Sequence, residues 1–89
     1  MVWTVNVSHR VEKAIAKLDN KAKQKIQYFL NYLLPNLENP RQKGQALHGD
    51  LNHLWRYRVG DYRIICEIID DELRVVAVEM GHRSKVYKQ

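Results

Sequence analysis

Three arginines in the second half of the chain have the spacing that points most directly to chemistry. Arg56, Arg58 and Arg63 flank Gly60-Asp61, a pair typical of a two-residue hairpin turn. If the chain turns there, Arg58 lies opposite Arg63, and strand alternation puts Arg56 on the same face. Like charges placed opposite each other destabilise a sheet, whereas guanidinium groups match the geometry of phosphate. The spacing therefore predicts a phosphate-binding face.

Two other interpretations of these arginines stay open from the residues alone. Glu67 or Glu79 could neutralise them, or they could point into water. The residues between them are predicted to face the other way and to pack in the core; they are Trp55, Tyr57, Tyr62 and Ile64.

Two further residues that could contact a nucleic acid, Arg83 and Tyr87, lie near the end of the sequence. On one helical turn they would share a face. Arginine supplies charge, and tyrosine supplies a ring for stacking on a base and a hydroxyl for hydrogen bonding. The alternative is that Tyr87 only packs against the rest of the chain. His82 and His48 are the nearby side chains whose usual pKa suits acid–base work.

Composition limits the class of protein. The chain has 89 residues with a net charge of +5 and a pI near 9.5, and we expect a single domain over residues 1–89. The positive charge favours a polyanionic partner, although a solvated basic surface is the alternative. One cysteine, Cys66, allows no internal disulfide and is expected to be buried. With no secretory signal and no membrane-length apolar run, a cytoplasmic protein without membrane contact is predicted.

The first half of the sequence predicts a strand and two helices. Val2–Val7 is rich in β-forming residues, and Ser8 can cap a helix over His9–Leu18. A second helix, capped by Asp19 or Asn20, should kink or end near Pro35. Its apolar stripe is Ala22, Ile26, Phe29, Leu30, Leu33 and Leu37, and its opposite face carries Lys21, Lys23 and Lys25.

The second half changes to the two-residue period of strands. The pattern predicts strands over His53–Val59, Tyr62–Ile69 and Leu73–Met80, with Gly81 ending the last one. The predicted order is β-α-α-β-β-β. This is an α+β fold with an antiparallel sheet and a helical hairpin on one face.

These residues resemble the RelE/ParE superfamily of toxins from type II toxin–antitoxin systems. The resemblance rests on Leu47-His48-Gly49, on the run from Leu54 to Ile65 and on the run from Gly81 to Tyr87, and it extends over almost the whole chain. It implies a RelE-type toxin: a cytoplasmic endoribonuclease (an mRNA interferase) that enters the ribosome and cleaves mRNA without a metal or other cofactor. It also implies a RelB-like antitoxin that blocks the site, and promoter DNA bound indirectly through that antitoxin.

The resemblance also implies roles for single residues. Arg63 matches the arginine that binds phosphate, and Arg83 matches the one that stabilises the transition state or serves the leaving group. Tyr87 matches the tyrosine that stacks on the nucleotide. Arg56 and Arg58 stand where the best-known members carry lysines, and arginine is a poor general base. The residue that accepts the 2′-hydroxyl proton is therefore not identified.

Two rival functions remain open from the sequence. One is a ParE-like inhibitor of DNA gyrase without nuclease activity. The other is an inactive relative that only binds RNA or an antitoxin. The presence of all five residues favours the nuclease; they are Arg56, Arg58, Arg63, Arg83 and Tyr87.

Overall fold

A five-stranded sheet with two helices on one face forms the protein. The computed structural model describes residues 2–82. The strands are β1 (Thr4–Val7), β2 (Gln45–Ala46), β3 (Leu54–Val59), β4 (Tyr62–Ile69) and β5 (Arg74–His82). The helices are α1 (His9–Ala16) and α2 (Asn20–Tyr28). The predicted α+β class, with a helical hairpin on one face, is confirmed.

The sheet differs from the prediction in two ways. Its strand order is β1-β5-β4-β3-β2, and β1 runs parallel to β5 while the other neighbours are antiparallel. The antiparallel sheet that we predicted is therefore mixed, because the long stretch of chain between β1 and β5 allows a parallel pairing. The short strand β2, which pairs with β3, was not predicted.

Strand β5 also continues further than the sequence indicated. It runs through Gly81 to His82, so the prediction that Gly81 ends it was wrong. Gly81 is the register partner of Arg63, and His82 that of Tyr62, so the ladder with β4 holds this end in place. The strand starts after Leu73, which has a φ of 50° and closes the turn that leads from β4.

The predicted cap of α1 is confirmed, whereas Asp19 precedes α2 without a capping hydrogen bond from its side chain, and the predicted apolar stripe holds only in part. Ser8 caps α1, with its hydroxyl 3.2 Å from the backbone nitrogen of Val11. Helix α2 is followed by a π-helical turn over Phe29–Leu33 and a 3₁₀ turn over Leu34–Asn36. A π turn inserts an extra residue into the helical repeat. Leu33 is consequently rotated outward and 40% exposed, and Leu34 takes its predicted place in the core at 0%.

The main core lies between the helices and one face of the sheet. Its buried residues are Trp3, Val11, Ile15, Ile26, Phe29, Leu30, Leu34, Tyr57, Ile64, Cys66, Val75, Ala77 and Met80. Trp55 and Tyr62 pack against this core as predicted. Burial raises the pKa of the Cys66 thiol to about 12, which fits a packing role. Neither helix within residues 2–82 is long and apolar enough to cross a membrane.

Candidate nucleic-acid site on the open face of the sheet

The face of β3 and β4 opposite the helices, called the open face below, carries the three arginines of the hairpin. Arg58 is the register partner of Arg63, and Arg56 pairs with Ile65 one step along the same face. The alternating residues Tyr57 and Ile64 are buried on the helix side. The predicted register is confirmed, and we call Arg56, Arg58 and Arg63 the arginine face.

No acidic side chain in the described range forms an ion pair with the arginine face. Glu79, one of the two acids that could have neutralised it, is 2.8 Å from Arg10 at the start of α1. Glu67 is exposed and is in none of these pairs. Glu79 is the register partner of Ile65, but its ion pair is with Arg10 and not with the arginine face. The interpretation as a phosphate site is therefore retained.

Arg63 differs from the other two in having a buried guanidinium nitrogen. Its Nε is buried, with no hydrogen-bond partner among the described residues. A buried polar donor without a partner costs free energy, about 1–3 kcal/mol in typical cases.

Arg56 is held by the unpredicted strand β2. Its Nη2 donates a hydrogen bond to Oε1 of Gln45, 2.7 Å away, and Gln45 is its register partner. Burial, followed by the positive charges of Arg63 and Arg58, lowers the pKa of the Arg56 guanidinium. The electrostatic effect of both neighbours on Arg56 shows that the three side chains share one region.

A second, smaller core lies beside the arginine face. Leu47 and Ile65 are buried there, with Leu51, Leu54 and Val78 packed around them. The segment between β2 and β3 thus covers one end of the open face. Gln45 and Leu47 were not predicted to be parts of the site. The apolar pair Ala46-Leu47 between two glycines was the sequence feature that could have indicated a short strand there.

The histidines are spread around the molecule. His82 lies opposite Tyr62 on the helix side of the sheet, with ring centroids 5.8 Å apart, and so not on the arginine face. His9 lies 3.9 Å from Glu12 on α1. His53, expected to begin a strand and pack with Trp55, instead precedes β3 and is exposed. His48 directly follows Leu47 in the segment that covers the open face.

Two predicted site residues, Arg83 and Tyr87, lie outside the described residues. The described part of the chain ends at His82, next to the register partner of Arg63. Within residues 2–82 there is no cluster of three or more His, Cys, Asp or Glu side chains that could hold a metal ion.

Residues 2–87 match the family described as the ParE toxin of the type II toxin–antitoxin system parDE. The chain belongs to this toxin family. The predicted RelE/ParE superfamily is thereby confirmed, and the protein is a toxin of a type II toxin–antitoxin system.

One curated protein and several solved structures are similar to this chain. The toxin is 39% identical over 54 residues to "Toxin RelE" of Mycobacterium tuberculosis, and that match spans 61% of this chain and 56% of the relative. Its fold resembles the M. tuberculosis complex RelBE2 with a TM-score of 0.82 at 24% identity, covering 96% of this chain and 95% of the other. An archaeal RelE–RelB complex from Pyrococcus horikoshii gives a TM-score of 0.75 at 24% identity, with 97% and 100% covered.

Proposed function

We propose that this toxin is a metal-independent endoribonuclease of the RelE type that cleaves mRNA on the ribosome in the cytoplasm. The observation that carries the proposal is the arginine face, where three guanidiniums share one region without an acidic partner among the described residues. Such a cluster binds a phosphodiester through charge and paired hydrogen bonds.

The proposed reaction is an in-line attack of the ribose 2′-oxygen on the adjacent phosphorus. The new bond joins the 2′-oxygen to phosphorus, and the bond from phosphorus to the 5′-oxygen breaks. The products are a 2′,3′-cyclic phosphate and a free 5′-hydroxyl. Negative charge develops on the phosphoryl oxygens and on the leaving oxygen, and donors placed in advance stabilise it by about 3–4 kcal/mol each.

Each arginine has a different task in this proposal. Arg63 contributes its guanidinium from β4, and Arg58, its register partner, adds charge from β3. Arg56, oriented by Gln45, contacts the same phosphate or its neighbour. By the family resemblance, Arg83 serves the leaving oxygen and Tyr87 stacks on a base.

The proton of the 2′-hydroxyl needs an acceptor other than these guanidiniums. The pKa of Arg56 is lowered, which is the direction that a base requires. An arginine nevertheless keeps its proton near neutral pH. We assign the arginines to charge stabilisation and positioning, and leave proton transfer to a histidine or to a group of the ribosome.

Cleavage of mRNA on programmed ribosomes tests the proposal directly. Purified toxin should cut ribosome-bound mRNA in the presence of a metal chelator and leave ends with a 2′,3′-cyclic phosphate and a 5′-hydroxyl. Expression of the toxin should arrest growth, and Arg83→Ala should relieve the arrest. Intact mRNA at toxin concentrations that arrest translation would contradict the nuclease.

The match to the ParE family supports a second candidate, inhibition of DNA gyrase. In that case purified toxin would block supercoiling by gyrase and leave ribosome-bound mRNA intact. Running both assays on one preparation separates the two functions.

The solved relatives RelBE2 and the archaeal RelE–RelB are toxin–antitoxin complexes. We therefore also propose a RelB-like antitoxin as the cognate partner, through which the toxin would be held at promoter DNA. An antitoxin that covers the arginine face would have to be acidic there.

A further inference from the structure

A groove runs between the end of α2 and the outer edge of β3, next to the arginine face. Its volume is about 580 Å³, within the range of about 300–1,000 Å³ that small ligands occupy. It is lined by Lys25, Tyr28, Phe29, Leu33, Lys43, Gly44, Gln45, Arg56, Tyr57, Arg58 and Val59. Arg56 and Arg58 belong both to this groove and to the arginine face, so the groove on the helix side meets the arginine face at the outer edge of β3.

The groove is entirely basic in its charged lining. Lys25 approaches from α2, Lys43 from the loop before β2, and Arg56 and Arg58 from β3; none of the acidic residues within positions 2–82 lines it. The loop backbone at Lys43 is held near β3, because its carbonyl accepts a hydrogen bond of 2.6 Å from the indole of Trp55. The groove is thus complementary to an anionic ligand that extends beyond the arginine face.

Gly44 allows this close approach of the loop to β3. Its φ is +81°, and a Cβ there would lie 2.4 Å from the carbonyl oxygen of Arg56 and 2.7 Å from Nε1 of Trp55. A side chain at this position would push the loop away from β3.

The α2 side of the groove presents an aromatic surface. Tyr28 is 55% exposed and lies against Tyr32, which is 61% exposed, with ring centroids 5.6 Å apart. Below them the rings of Phe29 and Tyr57 are buried and in contact, 5.2 Å apart. The buried rings pack in the core, whereas the exposed tyrosine pair is accessible to a ligand.

We propose that this groove binds the nucleotide next to the scissile phosphate of single-stranded RNA, with its base stacked on Tyr28 and its phosphate held by Lys25 and Lys43. The inference rests on the proposed nuclease function, because it places the scissile phosphate on the arginine face. Cations beside an exposed aromatic ring are the usual means of binding single-stranded nucleic acid. Because the groove meets the arginine face, RNA is favoured over an acidic peptide. Successive phosphates of one RNA strand would contact the arginine face and then the two lysines of the groove.

The test uses RNA oligonucleotides methylated at every 2′-oxygen, which cannot be cleaved by the proposed reaction. Affinity is measured by fluorescence anisotropy for a dinucleotide and for a trinucleotide extended by one 2-aminopurine nucleotide, on either side in turn. For the full-length toxin, extension on one side should tighten binding about tenfold and quench the aminopurine, as stacking does.

Variants then locate the added nucleotide. Tyr28→Ala should remove the gain and the quenching, and Tyr28→Phe should retain both. Lys25→Ala should weaken the extended oligonucleotide more than the dinucleotide. Lys17→Ala is the matched control, because it removes the same charge from the C-terminal end of α1, outside the groove, and it should affect both oligonucleotides equally.

Three results would overturn the groove proposal. The gain could survive in Tyr28→Ala, or Lys17→Ala could match Lys25→Ala. A peptide of alternating glutamate and leucine could bind in a Tyr28-dependent manner while the RNA does not, which would identify a protein ligand instead. Failure of the nuclease is seen separately: if ribosome-bound mRNA stays intact while Tyr28-dependent binding persists, the groove binds RNA but is not a subsite for cleavage.

Discussion

Two groups of arginines in this toxin differ in their partners. Arg41 makes a two-pronged ion pair with Asp70 at 2.8 and 3.0 Å, and Arg10 and Arg74 each bind a glutamate at 2.8 and 3.0 Å. Two of these pairs join segments far apart in the chain, at separations of 29 and 69 residues. The arginine face has no such partner in the described part of the chain.

The difference indicates two uses of the same residue type. The paired arginines connect α1 and the loops to the sheet, and their charge is compensated within the fold. The arginine face sets Arg58 opposite Arg63 and lowers the pKa of Arg56, which disfavours its charged form. Such an arrangement costs stability, and it is explained if the compensating charge comes from a ligand.

The largest expected effect is that of Arg63→Ala on cleavage. Loss of a donor aimed at the phosphoryl oxygens should lower the rate of mRNA cleavage on ribosomes by about 10²–10³-fold. Thermal unfolding should stay the same or shift upward, because the variant removes an uncompensated charge from β4. A fall in melting temperature large enough to explain the lost activity would show that Arg63 stabilises the fold, as the paired arginines do, and would contradict its role in binding phosphate.

Arg58→Glu should separate activity from stability. It converts the like-charged pair with Arg63 into an opposite pair, which in cross-strand positions stabilises by about 0.2–1 kcal/mol. Cleavage should drop by about 10²-fold, since a carboxylate now repels the phosphate. Denaturant unfolding compared with Arg58→Ala isolates the pair effect, and a variant less stable than Arg58→Ala would contradict it.

Gln45→Ala should have a smaller effect, through Arg56. The amide oxygen of Gln45 fixes Nη2 of Arg56, so its removal should leave the guanidinium less ordered and lower the cleavage rate several-fold, by about 1 kcal/mol. Gln24→Ala on α2 is the matched control and should cleave as the wild type does. Equal rates for Gln45→Ala and the wild type would show that the orientation of Arg56 is unimportant.

Arg41→Ala, from the paired group, should leave cleavage unchanged within about twofold and lower stability slightly. The hydrogen bond from Arg41 holds the pKa of Asp70 below its usual range. A carboxyl whose pKa is lower in the folded state than in the unfolded state stabilises the fold at a pH above its unfolded-state pKa, near 3.9. This stabilisation is lost as the pH falls through the folded-state pKa. The stability difference between variant and wild type, from urea unfolding, should therefore shrink below about pH 4; a constant difference would argue against the ion pair.

The sequence predicted the arginine face because local rules determine it. A two-residue turn at Gly60-Asp61 fixes the pairing of Arg58 with Arg63, and strand alternation then fixes Arg56. These steps need only neighbouring residues.

The features that could not be predicted depend on distant contacts. Glu79 is paired by Arg10, 69 residues away, and β1 meets β5 in parallel only after the chain has folded back. Leu34 lies in the core in place of the predicted Leu33 because of a π turn, which the helical pattern of the sequence does not indicate.

The most direct test observes the guanidiniums themselves by NMR while a phosphodiester binds. The Nε–H resonances of all arginines are followed during titration with a 2′-O-methyl dinucleotide, which carries a single phosphodiester. We predict that the signals of Arg56, Arg58 and Arg63 shift with one common dissociation constant, that of Arg63 most, while those of Arg10, Arg41 and Arg74 stay in place. Small, equal shifts across both groups would show diffuse attraction to a basic protein and would contradict a phosphate site on the arginine face.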